Sequence, residues 1–183
     1  MIISLGSSCD TANKLKRIGI NQPTFFFDYV WNELDGLKNV NNMIMNDFNH
    51  FDDINNYIKT KEHPILNWGE FNINKYYPTF CFMHHDTGNQ NVIDSLIRKI
   101  DRTKHVLSSN HYKTFIYYRH YNCDLIKCTD LKVITEECID FCNIYKNKYN
   151  YNFSLLALIT YDINEDINIL HSVLYIDEMM KML

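Results

Sequence analysis

Strand-length apolar runs near positions 2, 80, 115, 156 and 174 alternate with longer segments whose apolar residues recur every three or four positions. A strand buries a short run or every second residue, whereas a helix buries one stripe. A chain that switches repeatedly between the two spacings is therefore built in layers. The repeated βα alternation predicts an α/β fold, with a layered mixed or mostly parallel sheet of about five strands flanked by helices.

Along the chain, Ile2 to Leu5 reads as a strand that stops at Gly6-Ser7-Ser8. From Asp10 an amphipathic helix follows, with Ala12, Leu15 and Ile18 on one face and Gly19 as its C-terminal stop. Pro23 opens the buried segment Thr24 to Phe27, which ends at the acid Asp28. Leu34, Leu37, Val40, Met43, Ile44 and Phe48 predict a helix between Asn32 and Phe51 despite the poor-propensity Asn residues among them. Residues 52–78 are expected as a cap or hairpin insertion within a single domain spanning 1–183. Thr79 to Met83 is a buried strand running into His84-His85-Asp86-Thr87-Gly88, and a helix carries Val92 to Leu107. Phe115 to Tyr118 is a strand ending at Arg119, Cys138 to Tyr145 is helical, and Phe153 to Thr160 is the clearest strand. A short helix after Asp162 and a strand from Val173 to Ile176 complete the reading.

Composition excludes several classes. With 183 residues, 46% of them hydrophobic, the chain has the size of one domain that buries a full core. Its 18 basic against 22 acidic residues leave no surplus for a phosphate-neutralising stripe, so nucleic acid is not expected as a partner. No apolar run approaches the roughly 18 residues of a membrane span, and the N-terminus lacks the basic and apolar regions of a secretory signal. Six cysteines beside a full-sized core read as thiols in a reducing compartment, which points to the cytoplasm. The Asn-, Lys-, Tyr- and Ile-rich usage follows AT-rich coding of the kind found in large DNA viruses, for which the compartment would be the host cytoplasm.

Cys9 is the residue with most chemical content. It stands where a strand-to-helix loop meets a first helical turn, and there unpaired N–H groups and the helix dipole stabilise a thiolate and offer an oxyanion hole. The same position also suits a small buried apolar residue. A cysteine-dependent phosphatase needs an Arg six residues after the nucleophile, where this chain has Leu15, and the loop lacks the GK[ST] ending of a phosphate cradle. Ser7 and Ser8 lack the G-x-S-x-G frame of a serine hydrolase. A thiol needs a base, and His84 and His85 directly follow a buried strand. Adjacent residues of an extended segment face opposite ways, so one of the two is expected at Cys9, with Asp86 or Asp28 orienting the ring.

These blocks carry a resemblance. Ile3-Ser4-Leu5-Gly6-Ser7-Ser8-Cys9 with Ala12, Leu15 and Gly19, then Phe27-Asp28-Tyr29-Val30, then Phe82-Met83-His84-His85-Asp86, then the Arg98/Arg102 helix and the strand ending in Arg119, resemble the putative papain-like cysteine peptidase family of bacteria and large DNA viruses. The resemblance covers residues 2–31 and 80–120. It departs from the family's P-F-D-W-like segment in having Phe26 for Pro and Tyr29 for Trp. It implies a Cys9 nucleophile with a His84 or His85 base, and it places Asp28 and Arg119 among the site residues. It also implies a second choice of fold, a papain-like α+β domain with a helix against an antiparallel sheet.

Two functions are therefore carried forward. One is a thiol hydrolase or acyl transferase using a Cys–His dyad, with Ser7, Ser8, Asp28 and Arg119 in oxyanion or substrate binding and a peptide, isopeptide or small amide as substrate. The other is a catalytically silent module whose Gly6 to Asp10 loop binds an anion or nucleotide and whose surface meets a protein partner. A glycan-related role is a third. No cofactor or metal is expected: Cys123 and Cys128 resemble a ligand pair, but Cys138 and Cys142 fall at helical spacing beside Phe141, as a core stripe does. The sequence does not set an oligomeric state.

Overall fold

The computed structural model describes residues 1–6, 10–30, 36–61, 70–82, 85–121, 131–163 and 168–177. Its larger sheet holds β1 (Ile2–Ser4), β5 (Lys113–Tyr121), β6 (Phe153–Ile163) and β7 (Asn168–Asp177), in the order β1-β5-β6-β7. The first three are parallel: Ile3 lies opposite Phe115, and Phe115 opposite Leu155. Strand β7 is antiparallel to β6, with Ser154 opposite Asp177 and Ile163 opposite Asn168. A second, antiparallel sheet is formed by β2 (Tyr57–Thr60), β3 (Phe71–Asn74) and β4 (Tyr77–Cys81). Helices α1 (Asp10–Arg17), α2 (Gly36–Met45), α3 (Gln90–Leu107) and α4 (Leu131–Tyr149) complete the set.

Parallel neighbours need crossover connections, and α4 supplies the one between β5 and β6. This is the expected α/β architecture, and the parallel β1-β5-β6 core sets aside the papain-like antiparallel alternative. Two details differ. The strand near position 80 forms where expected, but it pairs with β3, so the larger sheet has four strands. Among the described residues no helix follows Asp162: β6 continues through Ile163, and β7, from Asn168, pairs antiparallel with it.

One face of the larger sheet is closed by alternation. Lys113, Phe115, Tyr117 and Arg119 of β5 are buried, while Thr114, Ile116 and Tyr118 between them are half-buried. Phe115 meets Phe141 and Tyr145 of α4 edge-on at 5.0 and 4.9 Å between ring centroids, so α4 is fixed by aromatic packing on the sheet. Cys138 and Cys142 lie on that same buried stripe, and burial pushes the Cys138 thiol up to about 12. Cys123 and Cys128 lie outside the described residues.

Helix ends follow their capping chemistry. Gly19 has φ +86°, and the bonds from Gly19 N–H to Lys16 O and from Ile20 N–H to Leu15 O make a Schellman stop. The helix therefore ends before Ile18 reaches its buried stripe, and Ile18 is 74% exposed, contrary to its expected place beside Ala12 and Leu15. Helix α2 stops at Met45 and does not run on to Phe51. Asp47 takes φ +53°, Phe48 N–H bonds to Met43 O, and Lys148 of α4 donates to Ile44 O and pairs with Asp47 at 2.6 Å.

Candidate active site

Strand β1 leaves the sheet through Leu5, whose N–H bonds to Ile116 O at 2.9 Å, and turns at Gly6 with φ +60°. A Cβ at Gly6 would stand 2.7 Å from the Phe27 carbonyl oxygen, so glycine here answers both a left-handed backbone and a close approach. The chain next described is Asp10, the first residue of α1. Ser7, Ser8 and Cys9 lie outside the described residues, as do Met83 and His84.

The segment against Gly6 is a single 3-10 turn, Phe26–Tyr29, which carries Asp28. Asp28 Oδ2 accepts the Phe25 N–H at 2.7 Å, and Phe26 donates its own N–H to Thr103 Oγ1 of α3 at 3.0 Å. Arg102 Nη1 adds a bond to Thr24 O at 2.8 Å, so α3 fastens the N-terminal side of this strap at two points. Asp28 is 6% exposed, and its Oδ1 is buried with no hydrogen bond from a described residue. Burial raises its carboxyl from the ordinary 3.8 to about 6, against the Phe25 N–H, the charges of Lys16 and Lys99 and the nearby Ser4 hydroxyl, all of which favour the anion. Desolvation outweighs two cations and a backbone donor here. Lys99 is pushed down by its own burial and by Arg98 and Arg102.

His85 follows β4 by four residues. It is half-buried with Nε2 inside, and Asn72 Nδ2 donates to its carbonyl at 2.8 Å. Phe82, which joins β4 to the histidines, donates its N–H to Asn72 O at 2.8 Å and packs on Phe26 with ring centroids 6.4 Å apart. The three sequence blocks therefore meet at the strap. Gly6, three residues before Cys9, touches Phe27, and Phe82, three residues before His85, touches Phe26.

Asp86 stands apart from this junction. It is exposed, its Oδ1 accepts the Gly88 N–H at 3.2 Å, and its C=O accepts the Asn89 N–H at the start of α3. Arg119 is buried on β5 in a different setting: the Cβ position of Gly36, at the start of α2, lies 2.5 Å from its Nη1, 2.6 Å from Tyr117 Oη and 3.0 Å from Glu137 Oε2. Leu37 N–H donates to the same Glu137 oxygen at 3.2 Å. The cations acting on Asp28 are Lys16 and Lys99. Ser4, Lys16, Lys99 and Thr103 were not singled out from the sequence. They come from three different elements, and only the fold brings Ser4, Lys16 and Lys99 to the Asp28 carboxyl and Thr103 to the Phe26 N–H.

A family model described as "Putative papain-like cysteine peptidase" matches residues 1–124. The chain belongs to that family. No curated protein and no solved structure matches it. In this chain the matched span runs from β1 to the end of β5, so it contains the Gly6 turn, the Asp28 strap and the His85 segment. Helix α4 and strands β6 and β7 lie beyond it. Among the described residues no helix is long and apolar enough to cross a membrane.

Proposed function

We propose that the protein is a cysteine-dependent hydrolase or acyl transferase in which Cys9 is the nucleophile and His85 or His84 the base. The observation that carries this reading is the convergence on one strap: Gly6 against Phe27, Phe82 against Phe26, and a buried Asp28 with one oxygen uncommitted to any described residue. The family match over the same blocks supports it.

In the proposed reaction the imidazole takes the Cys9 proton and the thiolate attacks the substrate carbonyl carbon. The C=O electron pair moves to oxygen, where N–H groups around Ser8, Cys9 and Asp10 hold it. Collapse breaks the C–N bond, the imidazolium protonates the leaving amine, and a thioester remains on Cys9. Water, deprotonated by the same imidazole, releases the acid and restores the thiol; an amine in its place gives acyl transfer. Of the two carboxyl groups considered for orienting the ring, Asp28 is favoured, because Asp86 is exposed and engaged by Gly88. Ser7 and Arg119 stay candidates for substrate binding. The substrate is a peptide, an isopeptide or a small amide.

The reducing, cytoplasmic setting rests on six cysteines beside a full-sized core. The test is turnover of a panel of peptide, isopeptide and small amide substrates by wild type and Cys9→Ala. Loss of every activity in Cys9→Ala is expected, and full activity of that variant on each substrate the wild type turns over would end the proposal.

A further inference from the structure

A cleft of about 440 Å³ opens between α2 and the β3–β4 turn, with neither Gly6 nor any residue of the Asp28 strap in its lining, and its size falls in the range of small-molecule sites. Its floor and walls include Asn39, Asn42, Asn46, His50, Tyr76 and Thr79, and none of its lining residues is an acid, a lysine or an arginine. The three asparagines follow one another at helical steps along α2 and its end. Asn39 is 7% exposed and donates its Nδ2 to Thr79 Oγ1 at 2.7 Å, and Asn46 lines the cleft beside Tyr77. Between them, half-buried Asn42 makes no side-chain hydrogen bond to a described residue.

The opposite wall is a prepared aromatic surface. The rings of His50 and Tyr76 are stacked, with centroids 3.7 Å apart and planes 15° from parallel, and Tyr76 is 56% exposed. His50 is held at φ +76°, a conformation unfavourable for a residue with a side chain, and its carbonyl accepts from both Asn56 Nδ2 at 3.1 Å and Asn74 Nδ2 at 2.7 Å. Tyr76 N–H is tied to Asn74 Oδ1 at 2.9 Å, so Asn74 fixes both members of the stack. A strained residue held by two buried or half-buried carboxamides is pre-organised, which lowers the ordering cost of binding.

We propose that this cleft binds a neutral saccharide, one ring face lying on the His50–Tyr76 stack and the hydroxyls meeting the asparagine row. A carboxamide offers both a donor and an acceptor, as a sugar hydroxyl does, and a row of them suits a ligand that presents such groups in series. The C–H groups on one face of a pyranose carry slight positive charge and complement the negative face of an aromatic ring. A nucleotide or an acidic peptide would bring charge into a lining that has no lysine or arginine to meet it.

The experiment is saturation-transfer NMR on the full chain with N-acetylglucosamine, methyl α-glucoside, methyl α-mannoside and methyl β-galactoside, and with adenosine and a capped neutral tripeptide as competitors. At least one sugar is expected to bind, with the ring C–H protons of one face most strongly saturated. Tyr76→Ala, at an exposed position that leaves the core untouched, is expected to weaken that binding about tenfold or more, Tyr76→Phe to retain it and Asn42→Ala to weaken it. Cys9→Ala is expected to leave it unchanged, which separates this site from the Cys9 chemistry. Absence of binding by every sugar, binding indifferent to Tyr76→Ala, or binding of adenosine or the tripeptide in the sugars' place would overturn the proposal.

Discussion

Asp28→Asn isolates the energetics of the strap. The wild-type carboxyl titrates at about 6 in the folded protein against an ordinary 3.8, so the folded state holds this proton more tightly than the unfolded chain does. A raised carboxyl pKa contributes stability fully present below the unfolded value and lost as pH climbs through the folded value. For Asp28 that window runs from about pH 4 to somewhat above pH 6. At about 1.36 kcal/mol per pH unit, the displacement from 3.8 to about 6 amounts to about 3 kcal/mol lost across it. An asparagine keeps the acceptor for the Phe25 N–H but places an amide where Oδ1 is buried, at a cost of about 1–3 kcal/mol that does not depend on pH. Urea unfolding of both proteins at pH 4, 5, 6 and 7 reads the difference directly, because the other titrating groups cancel. The variant should gain on the wild type by about 2.4 kcal/mol between pH 4 and pH 7, since part of the full displacement lies outside that range. A difference that stays flat over that range would refute the assignment of a desolvated, raised carboxyl at this position.

Gly6→Ala should destabilise the fold by about 1–3 kcal/mol, read from the denaturation midpoint, since it puts a Cβ at 2.7 Å from Phe27 O on a left-handed backbone. Thr103→Val removes the acceptor of the buried Phe26 N–H and should cost about 1–3 kcal/mol in the same assay. In the native protein at pH 8, Cys81 and Cys138 should resist iodoacetamide, because burial holds both thiols near 12; labelling of either at the rate of the unfolded chain would contradict their placement in the core.

Period and punctuation made much of the fold legible. The switch from apolar runs to helical stripes identified β5, α3 and β6, and Gly19 marked the end of α1. What a local pattern does not encode is the partner of a strand. Thr79 to Met83 reads as a buried strand whichever sheet receives it, and only the pairing of Ile73 with Cys81 assigns it to the second sheet. Helix ends set by long-range groups were hidden for the same reason: Lys148 lies about a hundred positions from the Ile44 carbonyl it caps. In the site, Asp28 was visible because a lone acid after a Phe run has to be accommodated in the core. Its desolvation and the roles of Ser4, Lys16 and Lys99 depend on β1, α1 and α3 packing around one carboxyl group, and Thr103 of α3 acts one step away by holding the Phe26 N–H.

The central claim is that Cys9 is an activated nucleophile paired with a histidine. The most direct measurement is the pH dependence of iodoacetamide alkylation at each cysteine, read by peptide mass spectrometry on wild type, His84→Ala and His85→Ala. The account predicts that Cys9 labels far faster than the other five cysteines, with a midpoint below the ordinary thiol value of about 8.5, and that one of the two substitutions abolishes this preference. Slow labelling of Cys9, at the rate of the other thiols and indifferent to both histidines, would contradict it.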